Sequence, residues 1–316
     1  MEQNVEKKEK ELENANILFY FMYPSIQPFY KTHLAMEGAE IYLEISGNRK
    51  GIPVVYLHGG PGDHITPRHR RWYNPKDYLI ILFDQRGCGK SRPLNDIKKN
   101  NTHLLIQDME TIRTHLKIDK WVVAGGSWGS SLALLYAIYN PDKVLAMILR
   151  GIYDLSSDNV LDQIYPEEKD KLYTLLNIKH KSEEQTQIKK VLSRKTKKRR
   201  DLITLMENND PMFSVSKPFQ TKYKDSETLT IIGNHYELNH FFVPVGFIYK
   251  HIDTIKHIPT ILIEGRHDII TPMRMAYRLS KALNCELRIV NAGHSAMEEN
   301  ITKELIRASK EIKHKL

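Results

Sequence analysis

The stretch Val122–Ala137, VVAGGSWGSSLALLYA, sets one hydroxyl among glycines at the point where a β-branched run gives way to a helical one. Within it, Gly125-Gly126-Ser127-Trp128-Gly129 satisfies G-x-S-x-G between a strand pattern and a helix pattern, the context that a nucleophile elbow requires. Glycine at 125 and 129 leaves room where a Cβ would strike neighbouring backbone. The sharp turn lifts the Ser127 hydroxyl above the edge of a sheet. A glycine-rich strand-to-helix turn is also a common structural device, so the pentapeptide needs chemical partners elsewhere before it means catalysis.

Short apolar runs recur on both sides of this stretch, with helical segments between them. They are IPVVYLHG (52–59), YLIILFD (78–84), KWVVAG (120–125), VLAMILRG (144–151), PTILIEG (259–265) and ELRIVNAG (286–293). Strands so continuously apolar are buried on both faces, which predicts a mostly parallel sheet with helices on either side, an α/β class. From about Tyr153 to about Val245 the rhythm breaks into polar, basic, helix-prone sequence without a buried parallel strand. An insertion of that length between core strands predicts a helical cap. The expected organisation is a charged N-terminal extension (1–22), a first part of the core (23–152), the cap (153–245) and a second part of the core (246–316).

Composition narrows the class. A chain of 316 residues that is 41% hydrophobic and 27% charged can bury a full core and is too apolar to be disordered. The net charge of +9 is uneven, because RKTKKRR (Arg194–Arg200) holds six basic residues in seven. No nucleic-acid-binding motif accompanies that run, so a solvated helix face is expected and no nucleic-acid partner. The two cysteines, Cys88 and Cys285, are too far apart to suggest a disulfide framework or a structural zinc site. The opening MEQNVEKKEKELENAN is of mixed charge, and ILFYFMY after it is too short to span a bilayer and lacks a signal-peptide layout. A cytoplasmic protein without membrane attachment is therefore expected.

Serine at its ordinary pKa is a poor nucleophile. It needs a histidine base, and the histidine needs a carboxylate to hold its tautomer, in the chain order Ser, acid, His. Asp268 in GRHD follows the strand pattern TILIEG, and His294 in AGHS follows LRIV. Both lie just past the C-terminal end of a strand, where open α/β sheets gather their sites. Asp268 could instead cap the helix TPMRMAYRLSKAL, although Thr271 before Pro272 can also take that role. An oxyanion would be met by the Trp128 N–H and by a donor from His58-Gly59-Gly60-Pro61-Gly62, with Gly60 N–H expected first and Gly59 second. No HExxH or other clustered ligand spacing suggests a metal.

Taken together, HGGPG (58–62), FDQRGCGKS (83–91), GGSWGS (125–130), LRGIY (149–153), GRHD (265–268) and GHSA (293–296) resemble the motifs of the proline iminopeptidase (prolyl aminopeptidase) family of α/β-hydrolases. The resemblance runs from about Tyr23 to the last helix. It implies release of N-terminal proline from peptide substrates without a metal or organic cofactor. By the family pattern Ser127 attacks, His294 shuttles the proton and Asp268 orients His294, while Asp84 and Arg86 brace the loops around the site. Tyr153 stands where the family usually has a phenylalanine of the proline pocket, with Arg150 in the same motif. Family glutamates in the cap bind the substrate's free amino group. Glu207 in LITLMENN matches one of them. For the other, aligning NHFFVPVGF (239–247) puts Leu238 in its place with Glu237 one residue earlier, and a rival alignment on GNHY puts Gly233 there. On a helix one residue is a rotation of about 100°, so Glu237 need not reach the same point. Two further functions compete: a cap-diverged hydrolase of esters, amides or other peptides, and a non-enzymatic binding protein, against which the complete Ser–Asp–His set argues.

Overall fold

A computed structural model of the chain describes residues 21–156, 166–207 and 226–316. Eight strands form one sheet in the spatial order β1-β2-β4-β3-β5-β6-β7-β8. They are β1 (Tyr30–Met36), β2 (Ala39–Gly47), β3 (Ile52–Leu57), β4 (Tyr78–Phe83), β5 (Trp121–Ser127), β6 (Val144–Ile152), β7 (Thr260–Gly265) and β8 (Glu286–Val290). From β4 to β8 every neighbouring pair is parallel, and β1 and β2 join as an antiparallel hairpin at the β4 edge.

All six apolar runs read from the sequence are strands of this sheet, and the hairpin adds two that were not anticipated. Strand β1 lies at the sheet edge and alternates exposed with half-buried residues, while β2 buries Glu44 and Ser46 among its apolar residues. Neither has the uninterrupted apolar signature of a strand covered on both faces.

The alternation of side chains along each strand divides the core in two. Val55, Leu57, Val123, Met147, Leu149 and Leu262 face one layer. That layer is formed by α1 (Thr102–His115), α2 (Trp128–Tyr139) and α7 (Met273–Leu283). Val54, Tyr56, Val122, Ala124, Ile148 and Ile263 face the other, built largely on α8 (Glu299–Ile312). In α1 the buried Leu105, Ile106, Met109 and Ile112 fall on one helical face, and Asn101 Oδ1 accepts the Leu104 N–H at 2.9 Å as an N-cap.

Between β6 and β7 the described elements are helical: α3 (Pro166–Leu176), α4 (Glu184–Leu192), α5 (Lys197–Glu207) and α6 (Ser226–Glu237). Leu176, Ile178, Ile188, Val191 and Leu202 form a small apolar cluster of their own across α3–α5. Helix α6 is seated differently, since its Ile232 and Tyr236 join the main core. Tyr236 Oη donates to Asn100 Oδ1 at 2.8 Å, and His235 Nε2 lies 2.7 Å from the Asn100 carbonyl. In the basic run Lys195, Lys197, Lys198 and Arg200 are exposed. Arg199 instead ties α5 to α6 through an ion pair with Glu227. Among the described residues no helix is long and apolar enough to cross a membrane.

Candidate active site

The C-terminal ends of the parallel strands converge on one edge of the sheet, and the elbow stands at its centre. Ser127 has φ 57 and ψ −128, a conformation that L residues rarely adopt, and its side chain makes no capping bond to the helix it begins. The hydroxyl is thereby left for other work. A Cβ on Gly125 would lie 2.2 Å from the Gly129 carbonyl oxygen, and one on Gly129 would lie 2.1 Å from the Leu57 carbonyl oxygen. The elbow therefore admits no side chain at either position. Gly129→Ala is expected to lower stability by at least about 2 kcal/mol, read as a reduced urea midpoint.

Asp268 and His294 meet beside it. His294 Nδ1 lies 2.7 Å from Asp268 Oδ2, and the two residues are 6% and 5% exposed, so the contact is shielded from water. Asp268 also accepts the backbone N–H groups of Ile270 and Thr271 at 2.9 and 2.8 Å and the Thr271 hydroxyl at 2.8 Å. Burial alone would raise its pKa; the adjoining His294 charge, the His294 hydrogen bond and the Thr271 N–H outweigh it and hold the carboxyl below its usual range. Asp268 is thus no helix cap: the N-cap position of α7 is Pro272, and Asp268 instead closes the turn before it. The sheet register sets Ser127 opposite Ile152. At the adjacent Gly151, with φ +52, a Cβ would fall 3.1 Å from the His294 ring. The end of β6 thus draws the histidine towards the elbow.

The loop His58–Gly62 lies against Ser127. A Cβ on Gly59 would approach the Ser127 Cβ to 3.3 Å and its Oγ to 3.8 Å. Gly60 has φ +103, and a Cβ there would stand 2.4 Å from the Gly62 nitrogen. The Trp128 N–H, in the first position of α2, has no acceptor within the helix. Gln85, which sequence reasoning passed over inside DQRG, ties both parts together. Its backbone N–H donates to His58 Nε2, its Nε2 donates to the His58 carbonyl, and its Oε1 accepts from Trp128 Nε1, each at 2.9 Å. Burial lowers the His58 pKa, so the ring is neutral, with Nδ1 directed to the Gly59 carbonyl at 3.1 Å. Asp84 accepts the Ile65 and Lys90 N–H groups at 2.7 and 2.8 Å. Arg86 binds Asp108 through two bonds of 2.6 and 2.7 Å. Both contacts brace the loops.

Arg150 is placed under the elbow. A Cβ on Gly126 would lie 2.2 Å from its Nε, and its Nη1 donates to the His294 carbonyl at 3.0 Å. It holds the histidine loop from below, whereas the family pattern had implied a place beside the substrate.

Tyr153 lies beside the elbow helix. Its backbone is fixed by the elbow helix, with the Ser130 hydroxyl accepting its N–H at 3.1 Å and the Ser131 hydroxyl donating to its carbonyl at 2.5 Å. Its ring meets Phe241 edge-on at 5.3 Å, and Phe241 stacks on Trp128 at 5.5 Å. Phe241 reaches this position from three successive left-handed residues, His240, Phe241 and Phe242, with φ of 49, 53 and 57. That turn costs roughly 1–2 kcal/mol per residue and is held by the Thr102 hydroxyl on the Phe241 carbonyl.

Glu237 is the last residue of α6. It is exposed to solvent, and the protein around it, then the charge of Glu184, raise its pKa to about 7. Burial and then the Glu237 charge raise the Tyr153 phenol, which places this carboxyl near the Tyr153 ring. Glu207 is the last residue of α5, and its side chain lies outside the described residues. Among the described residues no group of three or more metal-ligating side chains is placed to hold an ion.

A family model for the alpha/beta hydrolase fold matches residues 52–301. The chain is 37% identical to a probable proline iminopeptidase of Leptolyngbya boryana, covering 91% of this chain and 95% of that protein. It is 37% identical to the proline iminopeptidase of Arabidopsis thaliana, covering 92% and 82%. It is 35% identical to that of Neisseria meningitidis serogroup A, covering 92% and 98%. Among solved structures, an esterase from Exiguobacterium antarcticum superimposes with a TM-score of 0.65 at 19% identity, covering 89% of this chain and 98% of that one, and shares the fold alone. On likenesses that run through nearly the whole chain, the protein belongs to the proline iminopeptidase family of α/β hydrolases.

Proposed function

We propose that the protein is a serine aminopeptidase that releases N-terminal proline from peptides through an acyl-enzyme on Ser127. The observation that carries this reading is the likeness to proline iminopeptidases across about nine-tenths of the chain. In this reaction Ser127 Oγ attacks the prolyl carbonyl and passes its proton to His294. Asp268 accepts from Nδ1 and stabilises the imidazolium that forms. The oxyanion is met by the N–H groups of Gly60 and Trp128. His294 then protonates the departing amine, and a water activated by His294 hydrolyses the prolyl ester. The ring of the substrate rests against Tyr153 and Phe241. Its protonated imino group meets Glu237, which supplies the countercharge that a cation drawn out of water requires.

Glu237 gives a test that separates an aminopeptidase from a general hydrolase with the same nucleophile. Glu237→Gln is expected to lower kcat/KM for a proline amide by at least about tenfold while sparing an uncharged short-chain ester. The sign of the pH effect follows from the raised pKa. The carboxyl is neutral below about 7 and cannot bind the cation, so kcat/KM for the amide rises as pH passes through that value. The ester rate lacks this component. Equal losses on both substrates would assign Glu237 to the fold.

A further inference from the structure

Glu264 is the penultimate residue of β7, stands four positions before Asp268 and is fully buried. Its Oε2 accepts the Ile152 N–H at 2.7 Å, while its Oε1 is buried and, among the described residues, receives no donor. Asp268 is in the opposite condition, accepting from Ile270 N, Thr271 N, the Thr271 hydroxyl and His294 Nδ1. The two carboxyl groups are within hydrogen-bond reach of each other.

Two buried carboxylates in contact cannot both ionise. Charge settles where the donors are, so Asp268 takes the charge and Glu264 takes the proton. Burial, then the charge on Asp268, act in that direction on Glu264; the Ile152 N–H and the Arg150 guanidinium act against it. A proton on Oε1 also accounts for the atom that otherwise lacks a partner.

We propose that Glu264 is a positioning residue of the active site, a protonated acid that donates from Oε1 to the Asp268 carboxylate and accepts the Ile152 N–H on Oε2. It thereby ties the acid that holds His294 to the strand end that leads to Tyr153. The inference rests on the reading of Ser127, His294 and Asp268 as one catalytic set, and it does not depend on which substrate that set cleaves.

Infrared spectroscopy of the full chain labelled with carboxyl-13C glutamate tests the proton directly. At about pH 8.5 surface carboxyls and Glu237 are ionised. One protonated-carboxyl stretch is expected in the wild type, absent in Glu264→Gln. No such band in the wild type overturns the proposal even if the enzyme is fully active; a band in a protein without hydrolase activity would overturn the functional reading alone. Kinetics provide the second arm. Glu264→Gln, whose amide offers the same donor and acceptor, is expected to retain at least about ten times the kcat of Glu264→Met. It should also keep the acid limb of kcat/KM within about half a pH unit of the wild type, whereas Glu264→Met moves that limb upward as the Asp268 carboxylate loses that donor. A fall of about one unit or more in Glu264→Gln means that a negative charge has been removed beside His294, which contradicts the proposal. Should Glu264→Gln not fold, the wild-type infrared spectrum decides.

Discussion

Replacing Ser127 with alanine is expected to lower kcat/KM for a proline amide by about 10^4-fold or more and to leave the thermal midpoint of unfolding near that of the wild type. The loss is large because the reaction has no second nucleophile once the hydroxyl is gone, and the residual rate comes only from the oxyanion donors and substrate binding. Stability is spared for a reason visible in the elbow. The Ser127 side chain makes no capping bond to α2, so the fold does not lean on its oxygen. The strained backbone at this position is set by Gly125 and Gly129, which the substitution leaves in place. A phosphonylating reagent directed at activated serines should label Ser127 in the wild type and nothing in the variant. Wild-type turnover by the variant would remove Ser127 from the mechanism.

The second large effect is expected at Asp268. Asp268→Asn should reduce kcat near neutral pH by about 10^4-fold. The carboxylate accepts from His294 Nδ1, which leaves the other ring nitrogen free of its proton and able to take one from serine. An asparagine amide turned to donate to Nδ1 would favour the opposite tautomer and block the base. The neighbouring hydrogen bonds argue that the turn itself survives, because an asparagine oxygen can still accept the Ile270 and Thr271 N–H groups. A fall of less than about tenfold would mean that His294 is oriented by something other than Asp268.

The elbow was legible in the sequence because its backbone admits no Cβ at 125 and 129, which leaves glycine there as a visible trace. Asp268 was legible because it follows the fully buried apolar run of β7, and His294 because it follows Gly293 and completes the chain order Ser, acid, His. The β1–β2 hairpin escaped the same reading, since an edge strand and a strand with buried Glu44 do not form continuous apolar runs. Phe241 was invisible for a different cause: three consecutive left-handed residues in His240–Phe242 contradict local propensity and are held only by tertiary contacts. The position of Glu237 depends on how α6 is docked, which Tyr236 and His235 fix on Asn100 some 135 residues earlier in the chain. Arg150 and Glu264 belong to the same class. Each makes a contact that connects distant strands; the LRGIY motif names Arg150 without its place, and Glu264 has no local sequence pattern at all.

The free imino group of the substrate is where the account is most exposed to test. The decisive measurement compares kcat/KM for proline naphthylamide with that for its N-acetylated counterpart under identical conditions. Ready hydrolysis of the first is expected and at least about a hundredfold less of the second, since acetylation removes the cation that Glu237 is proposed to meet. Equal turnover of the two, or none of the free proline amide, would contradict the account.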